Sequence, residues 1–262
     1  MRPSYAALGL VAALAAPMLA HAGRTCTVRA QTVESVQRGL DLAAATAAAL
    51  DRSGAQVVLL ARAGQDLSKY GLDWSHLGFA YRGDAGEAWR VLHKLNQCGS
   101  EVAAIYRQGL GEFFLEHPHR YAAAYAVLSE AAQTALLPIL RDDRAVLRWH
   151  EPRYNMVAYP WSTRYQQSNQ WALETLAGAV EPAARDRGRA QAWLQLQGYA
   201  PTTLKLGPLT RLGARATMAH IAFDDHPDGR RFRDRIDTVT VDSVFRWLPI
   251  AGWGQAAVQV EP

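Results

Sequence analysis

Two separated segments of this chain predict a helix and a strand that meet at one cleft. Residues 166–174, Gln-Gln-Ser-Asn-Gln-Trp-Ala-Leu-Glu, open a predicted helix and place a small hydroxyl residue, Ser168, at its start. Residues 74–81, Trp-Ser-His-Leu-Gly-Phe-Ala-Tyr, have the apolar and aromatic composition of a strand, and His76 lies near its beginning. A histidine base and a nucleophile at a helix N-terminus can form a catalytic pair. The pattern therefore predicts an α+β fold.

The N-terminus predicts export. An apolar run at residues 5–20 follows the single charge of Arg2 and ends in Ala-His-Ala, a small-x-small pattern. This is typical of a signal peptide, residues 1–22, cut after Ala22. A retained anchor is the alternative, but the run is shorter than the ~20 residues that span a bilayer. We expect a periplasmic mature chain, residues 23–262, that forms a single domain without a membrane span.

The two cysteines, Cys26 and Cys98, both remain after signal cleavage. An even cysteine count in an exported protein favours a disulfide between them. The alternative is that Cys98 is a free nucleophile, which an oxidising compartment disfavours.

Composition and motifs argue against several classes of partner. The 28 Lys and Arg residues are interleaved with 24 Asp and Glu residues, so no basic stripe predicts nucleic-acid binding. The chain lacks a His-Glu-x-x-His pair, a Gly-x-Ser-x-Gly elbow and a phosphate-binding glycine loop. Residues 224–226, Asp-Asp-His, fit either a metal-ligand cluster or a turn with side-chain-to-backbone bonds. We expect no metal and no cofactor.

Periodicity predicts the order of elements along the chain. Apolar residues at helical spacing indicate a first helix over 32–51, with Thr32 as N-cap and Gly54 as its stop. Three strands in meander order follow, which indicates a small antiparallel sheet. The predicted strands are 56–62, 77–81 and 88–95; further helices are predicted at 101–108, 120–141, 168–180, 187–197 and 208–219, and strand-like segments at 154–159 and 236–247.

Two short motifs resemble known enzyme families. Residues 75–79, Ser-His-Leu-Gly-Phe, resemble the histidine strand of NlpC-type cell-wall peptidases. Residues 167–172, Gln-Ser-Asn-Gln-Trp-Ala, resemble the nucleophile motif of the lecithin retinol acyltransferase group, in which the histidine precedes the nucleophile. The resemblance implies a circularly permuted papain-like (NlpC-type) fold, with a small antiparallel sheet packed against helices and with added helices. In that alignment Ser168 takes the place of the family cysteine.

The resemblance also implies roles for individual residues. Ser168 would be the nucleophile and His76 the base, and the third strand would supply His93 to orient the imidazole. Backbone N–H groups near Ser168, with the side chains of Gln166, Gln167 and Asn169, would bind an oxyanion or orient a substrate.

Serine changes the chemistry that such a site can do. A helix N-terminus and a charged histidine can ionise a thiol, but a serine hydroxyl reacts only when a base removes its proton during attack. We therefore predict one of two functions. The first is amide or ester hydrolysis or acyl transfer on a peptide, acyl or peptidoglycan-derived ligand. The second is a catalytically silent binding or envelope-assembly module, in which Ser168 is a plain helix N-cap and His76 bonds to a backbone carbonyl.

Over its whole mature length the chain also resembles an uncharacterised bacterial exported family (domain of unknown function 2145). This resemblance implies no assigned activity. The stretches that carry it are residues 62–68, 75–79, 92–99, 154–174, 225–227 and 241–245.

Overall fold

The computed structural model describes residues 30–83, 86–116 and 118–262. The predicted signal peptide and Cys26 lie outside the described residues, so the Cys26–Cys98 bridge stays a prediction. Cys98 itself lies in the turn that follows the third strand.

One six-stranded antiparallel sheet organises the described chain, and a second sheet has two strands. The large sheet has the order β4-β3-β2-β1-β5-β8, and the small sheet pairs β6 with β7. The strands are β1 (Val57–Ala63), β2 (His76–Tyr81), β3 (Arg90–Asn96), β4 (Ala103–Gly109), β5 (Arg120–Val127), β6 (Thr202–Lys205), β7 (Arg235–Thr238) and β8 (Val258–Val260).

Helices cover both faces of the large sheet. Thr32 caps the first helix in a capping box with Ser35, and Gly54 ends it in the left-handed conformation, with φ 69°. The helices are α1 (Val33–Ser53), α2 (Leu110–Phe114), α3 (Glu130–Arg141), α4 (Ser168–Val180), α5 (Arg187–Leu196), α6 (Pro208–Thr217), α7 (Asp228–Arg231) and α8 (Val241–Ile250).

The two faces of the sheet bury different cores. On one face, alternate residues such as Leu59 and Phe79 pack with residues of α3, α4, α5 and α8, among them Trp171. On the other, Leu60 and Val91 pack with residues of α1 and α2. Strand alternation therefore decides which helices each side chain of the sheet can reach.

Several sequence predictions agree with this architecture. The α+β class is confirmed, and so is the three-strand meander, because β1 pairs with β2 and β2 with β3, both antiparallel. Helix α4 begins at Ser168 and ends at Val180, as its sequence predicts.

Four element predictions are wrong. Residues 101–108 were expected to be helical but contain β4, and the expected helix over 120–141 is β5 followed by α3. The alanines of β5 favour a helix locally, but small side chains also suit a strand buried on both faces, and tertiary packing overrides propensity. Residues 154–159 form no named strand, and the expected strand over 236–247 is β7 followed by α8.

Within the described residues, no helix is both long enough and apolar enough to cross a bilayer. The sheet is larger than expected, because β4, β5 and β8 extend the meander on both sides.

Candidate functional site

Ser168 is the first residue of α4, and Gln167 caps the helix. The Gln167 side chain accepts a hydrogen bond from the Asn169 N–H at 3.0 Å, so Ser168 is not the N-cap. The Ser168 side chain is buried, and the Tyr154 hydroxyl lies near it. Burial raises the pKa of Tyr154, and the hydrogen bonds with Ser168 oppose that shift in part. The Ser168 hydroxyl therefore faces Tyr154 rather than His76.

His76 and His93 form a hydrogen-bonded pair on neighbouring strands. His76 Nε2 lies 2.8 Å from His93 Nδ1, and His93 Nε2 lies 2.8 Å from Gln108 Oε1. Because the Gln108 oxygen only accepts, His93 donates from Nε2 and accepts at Nδ1 from His76. A neutral His76 in this chain of bonds carries its free lone pair on Nδ1.

Burial keeps both imidazoles neutral. It lowers the pKa of His93 to about 4 and the pKa of His76 well below its ordinary value, and the nearby positive charge of Arg62 lowers both further. Gly78 allows this packing, because a Cβ there would lie 2.9 Å from His93 Cβ and 3.0 Å from the Leu92 carbonyl oxygen. Both imidazoles are therefore uncharged at neutral pH.

The histidine pair and α4 lie on opposite faces of the sheet. The rings of His76 and His93 pack against Phe113 of α2, with centroids 5.9 and 5.1 Å away. Helix α4 packs on the other face, where Trp171 meets Phe79. No hydrogen bond joins His76 to Ser168 within the described part of the chain. The two residues share a cavity but not a contact.

That cavity has a volume of about 650 Å³ and lies beside the start of α4. Its apolar wall includes Leu72, Val157, Leu204, Leu206 and Phe223, which form a separate small core. Its polar lining includes Arg62, His76, Lys94, Gln167, Ser168 and Asn169. The volume is in the range of small-molecule sites, which are mostly apolar with a few polar groups.

Three side chains were predicted to bind an oxyanion or a substrate, and they have different surroundings. Gln166 is fully buried, and its amide bonds to Lys94, Glu174 and the protein backbone. Gln167 lines the cavity, but its Nε2 donates to the Val239 carbonyl and its Oε1 caps α4. Only Asn169 keeps a spare polar atom.

The spare atom is a buried acceptor. Asn169 Nδ2 donates to the Val239 carbonyl oxygen at 3.2 Å, which fixes the orientation of the amide. Asn169 Oδ1 is buried, and no described residue offers it a hydrogen bond. Because an oxyanion needs donors, Oδ1 suits a ligand N–H or O–H instead.

The site also contains residues that motif reasoning missed. Lys94 is fully buried, and its Nζ donates to the Glu151 carbonyl oxygen at 2.5 Å and to Gln166 Oε1 at 2.7 Å. Burial lowers the pKa of Lys94 to about 6. A neutral amine has two N–H donors, and Lys94 has two acceptors. The chain has only three lysines against 25 arginines, and a lysine within an apolar strand was the available signal.

A buried ion pair fixes the segment that leads into α4. Arg187 Nε lies 2.6 Å from Glu174 Oε2, and Gln166 and Gln191 each donate to the same carboxylate at 2.6 Å. Arg187 also donates to the carbonyl oxygens of residues 162, 163 and 165. This network sets where Ser168 and Asn169 lie.

The Asp-Asp-His run at residues 224–226 forms structural contacts. Asp224 pairs with Arg164, and Asp225 bonds to His226 and to the Tyr159 N–H. Within the described ranges, no group of three or more His, Cys, Asp and Glu residues could hold a metal ion.

Comparison with known proteins identifies a family. No curated protein and no solved structure matches the chain. The family model described as an uncharacterized protein conserved in bacteria (DUF2145) matches residues 49–248, which include the cavity residues of both β2 and α4. The chain belongs to the DUF2145 family of bacterial proteins.

Proposed function

We propose that this protein binds an amphipathic amide in the cavity beside α4 and that it does so as an exported protein of the bacterial envelope. Acyl amino acids, acylated peptides and peptidoglycan-derived peptides share this chemistry. The observation that carries the proposal is the cavity beside α4, whose lining includes Asn169, a residue whose buried Oδ1 has no hydrogen-bond partner among the described residues. The proposal of export rests on the apolar run at residues 5–20. Because an exported chain meets an oxidising compartment, we propose the Cys26–Cys98 bridge as well.

The unpaired acceptor selects for a donor on the ligand. Leaving a buried acceptor without a partner costs about 1–3 kcal/mol, so a ligand N–H that reaches Asn169 Oδ1 recovers part of that cost. The apolar wall of Leu72, Leu204, Leu206 and Phe223 accommodates an acyl chain or large apolar side chains. An amide with an apolar substituent satisfies both parts of the cavity.

A matched pair of ligands tests this proposal. N-dodecanoylalanine and O-dodecanoyl-lactate have the same shape, but the ester has an oxygen in place of the amide N–H. We expect isothermal titration calorimetry to give about fivefold tighter binding for the amide, since a neutral hydrogen bond contributes about 1 kcal/mol. Failure of both ligands to bind, or equal affinity for the two, contradicts the proposal.

Two variants test whether Asn169 causes the preference for the amide over the ester. We expect Asn169→Leu to bind the amide and the ester equally, because the acceptor is gone. Asn96→Leu is the control, since Asn96 lines the same cavity and its amide bonds only to neighbouring carbonyls of its own loop. The control should keep the preference of about fivefold.

A second candidate function is hydrolysis or acyl transfer, with the permuted papain-like arrangement that the motifs imply. The neutral His76 with a lone pair on Nδ1, oriented by His93, favours this candidate. Ser168 Oγ would bond to the acyl carbonyl carbon while its proton passes to His76, which then protonates the leaving amine or alcohol. His76 would have to approach Ser168 around the strand end, in place of Tyr154.

Labelling separates the two candidates. The hydrolase requires that a fluorophosphonate probe modify Ser168 and that Ser168→Ala abolish both labelling and release of nitrophenol from p-nitrophenyl dodecanoate. Tyr154→Phe should speed labelling, because it frees the Ser168 hydroxyl. If the wild-type protein binds N-dodecanoylalanine but neither reacts with the probe nor cleaves the ester, the silent binding module stands and the hydrolase does not.

A further inference from the structure

Helix α6 covers the cavity from outside without joining a core. Thr210, Ala214 and Thr217, which are four and three residues apart, line the cavity. None of the ten residues of α6 is buried. The helix is held at its start by Arg211, which donates to the Leu206 carbonyl oxygen and pairs with Asp234.

The leucines of α6 point to solvent, opposite to their direction in the amphipathic helices of soluble proteins. Such helices turn their leucines to the core and their small polar residues to water. In α6, Leu209 and Leu212 are 84 % and 67 % exposed, whereas the threonines face the cavity. Phe232, just after α7, is 71 % exposed as well. Large side chains exposed in this way indicate a surface that another apolar phase covers.

Cations outnumber carboxylates in the segment that carries these side chains. In the segment from β6 to β7, residues 202–238, every carboxylate pairs with an arginine or a histidine: Asp224, Asp225, Asp228, Asp234 and Asp237. Lys205, Arg215, Arg233 and Arg235 have no carboxylate of the described residues within 4.0 Å, and Lys205 lies directly opposite Arg235 across the small sheet. Like charges opposite each other disfavour pairing, so this arrangement suits an external anion.

We propose that α6 docks on an anionic phospholipid surface, with Leu209 and Leu212 inserted among the lipids and the unpaired cations on the headgroups. The inference rests on the proposed acyl-amide ligand, which would pass between the bilayer and the cavity beneath α6. Basic amphipathic helices bind such surfaces through apolar insertion and attraction to anionic lipids. A second copy of this chain fits less well, because a two-fold contact sets the same cations against each other.

Vesicle binding tests the docking surface on the full mature chain. We expect co-sedimentation with phosphatidylcholine vesicles that contain phosphatidylglycerol, weak binding to phosphatidylcholine alone, and release as salt is raised. Leu209→Asp combined with Leu212→Asp should weaken binding by about tenfold or more. Leu196→Asp is the matched control, because Leu196 is also 84 % exposed but lies on α5.

Two charge-reversal variants test the role of the unpaired cations of the docking surface. Arg215→Glu should weaken binding to anionic vesicles several-fold, whereas Arg90→Glu should not. Both arginines are exposed and lack an ion pair within the described residues, but Arg90 lies on β3. Equal losses from Leu196→Asp or Arg90→Glu overturn the proposal, because the effect would then not belong to α6.

Calorimetry with N-dodecanoylalanine on the same variants separates this proposal from the ligand proposal. If the protein binds this probe but not vesicles, the docking surface is wrong and the ligand site stands. If it binds vesicles but not the probe, only the ligand site fails. A dimer that the leucine variants convert to a monomer, without vesicle binding by the wild type, assigns the surface to a second copy and overturns membrane docking.

Discussion

The two faces of the large sheet carry polar clusters of opposite character, although both clusters reach one cavity. On the α2 face, His76 and His93 are neutral and pack against the ring of Phe113. On the α4 face, Glu174 and Arg187 form a buried ion pair to which Lys94 is linked through Gln166. His93 and Lys94 are neighbours in sequence, yet strand alternation puts them in different clusters.

The two clusters differ in role: the α4 cluster positions the backbone, whereas the histidine cluster has a ring nitrogen available for chemistry. The polar atoms of the α4 cluster mainly fix the segment before Ser168. Arg187 donates to the carbonyl oxygens of residues 163 and 165, and Gln166 donates to that of Trp149. In the histidine cluster, Nδ1 of His76 accepts no hydrogen bond from the described residues. We therefore expect changes on the α4 face to affect stability most, and changes on the α2 face to affect mainly the response to acid.

Glu174→Gln should have the largest effect. It leaves the Arg187 cation buried without its carboxylate, and breaking a buried pair in this way costs about 3–5 kcal/mol. Urea unfolding of the variant and the wild type measures the loss in the free energy of unfolding. Glu112→Gln is the control, because Glu112 is exposed. A loss below about 1 kcal/mol would mean that the network adds little to the α4 face.

Lys94→Met tests whether the lysine is neutral in the fold. The pKa of Lys94 is lowered to about 6, so between pH 6 and pH 10 the unfolded chain binds a proton that the folded protein does not. The free energy of unfolding should therefore rise with pH across this window, by at most about 1.4 kcal/mol per pH unit. The variant should lose that slope.

The control for this pH series is Lys69→Met, which removes an exposed lysine at the rim of the same cavity. It should keep the wild-type slope. A wild-type stability that stays flat between pH 6 and pH 9 would show instead that Lys94 is folded in as a cation, with a third partner for its ammonium group.

Local signals in the sequence were sufficient for elements with clear boundaries. The extent of helix α4 was predicted because a polar cap precedes it and Pro182 follows it, and that of α1 because Thr32 and Gly54 mark its ends. Strand β5 could not be found in this way. Its run of alanines has helical propensity, and only burial between two helical layers makes it a strand.

The candidate site shows the same limit. Motifs at residues 75–79 and 167–172 pointed to His76 and Ser168, and both line the cavity. The direction of the His76 side chain follows in part from strand alternation. Leu77 and Phe79 form the more apolar side of β2, so His76 and Gly78 lie on the other side. Tyr154 and Arg187 carry no motif, since their roles depend on contacts with residues distant in sequence.

His93→Gln should give the smallest effect and the most specific one. The pKa of His93 is lowered to about 4 and that of His76 is lowered as well, so between pH 6.5 and pH 4 the unfolded chain takes up protons that the folded protein excludes. Wild-type stability should fall as the pH falls through this window, because the unfolded state binds more protons. Glutamine can still accept from His76, so the variant should fold and lose less stability in acid. His119→Gln, at an exposed histidine, should behave as the wild type. Equal acid sensitivity in all three proteins would place the neutral pair in doubt, and with it the base that the hydrolase candidate requires.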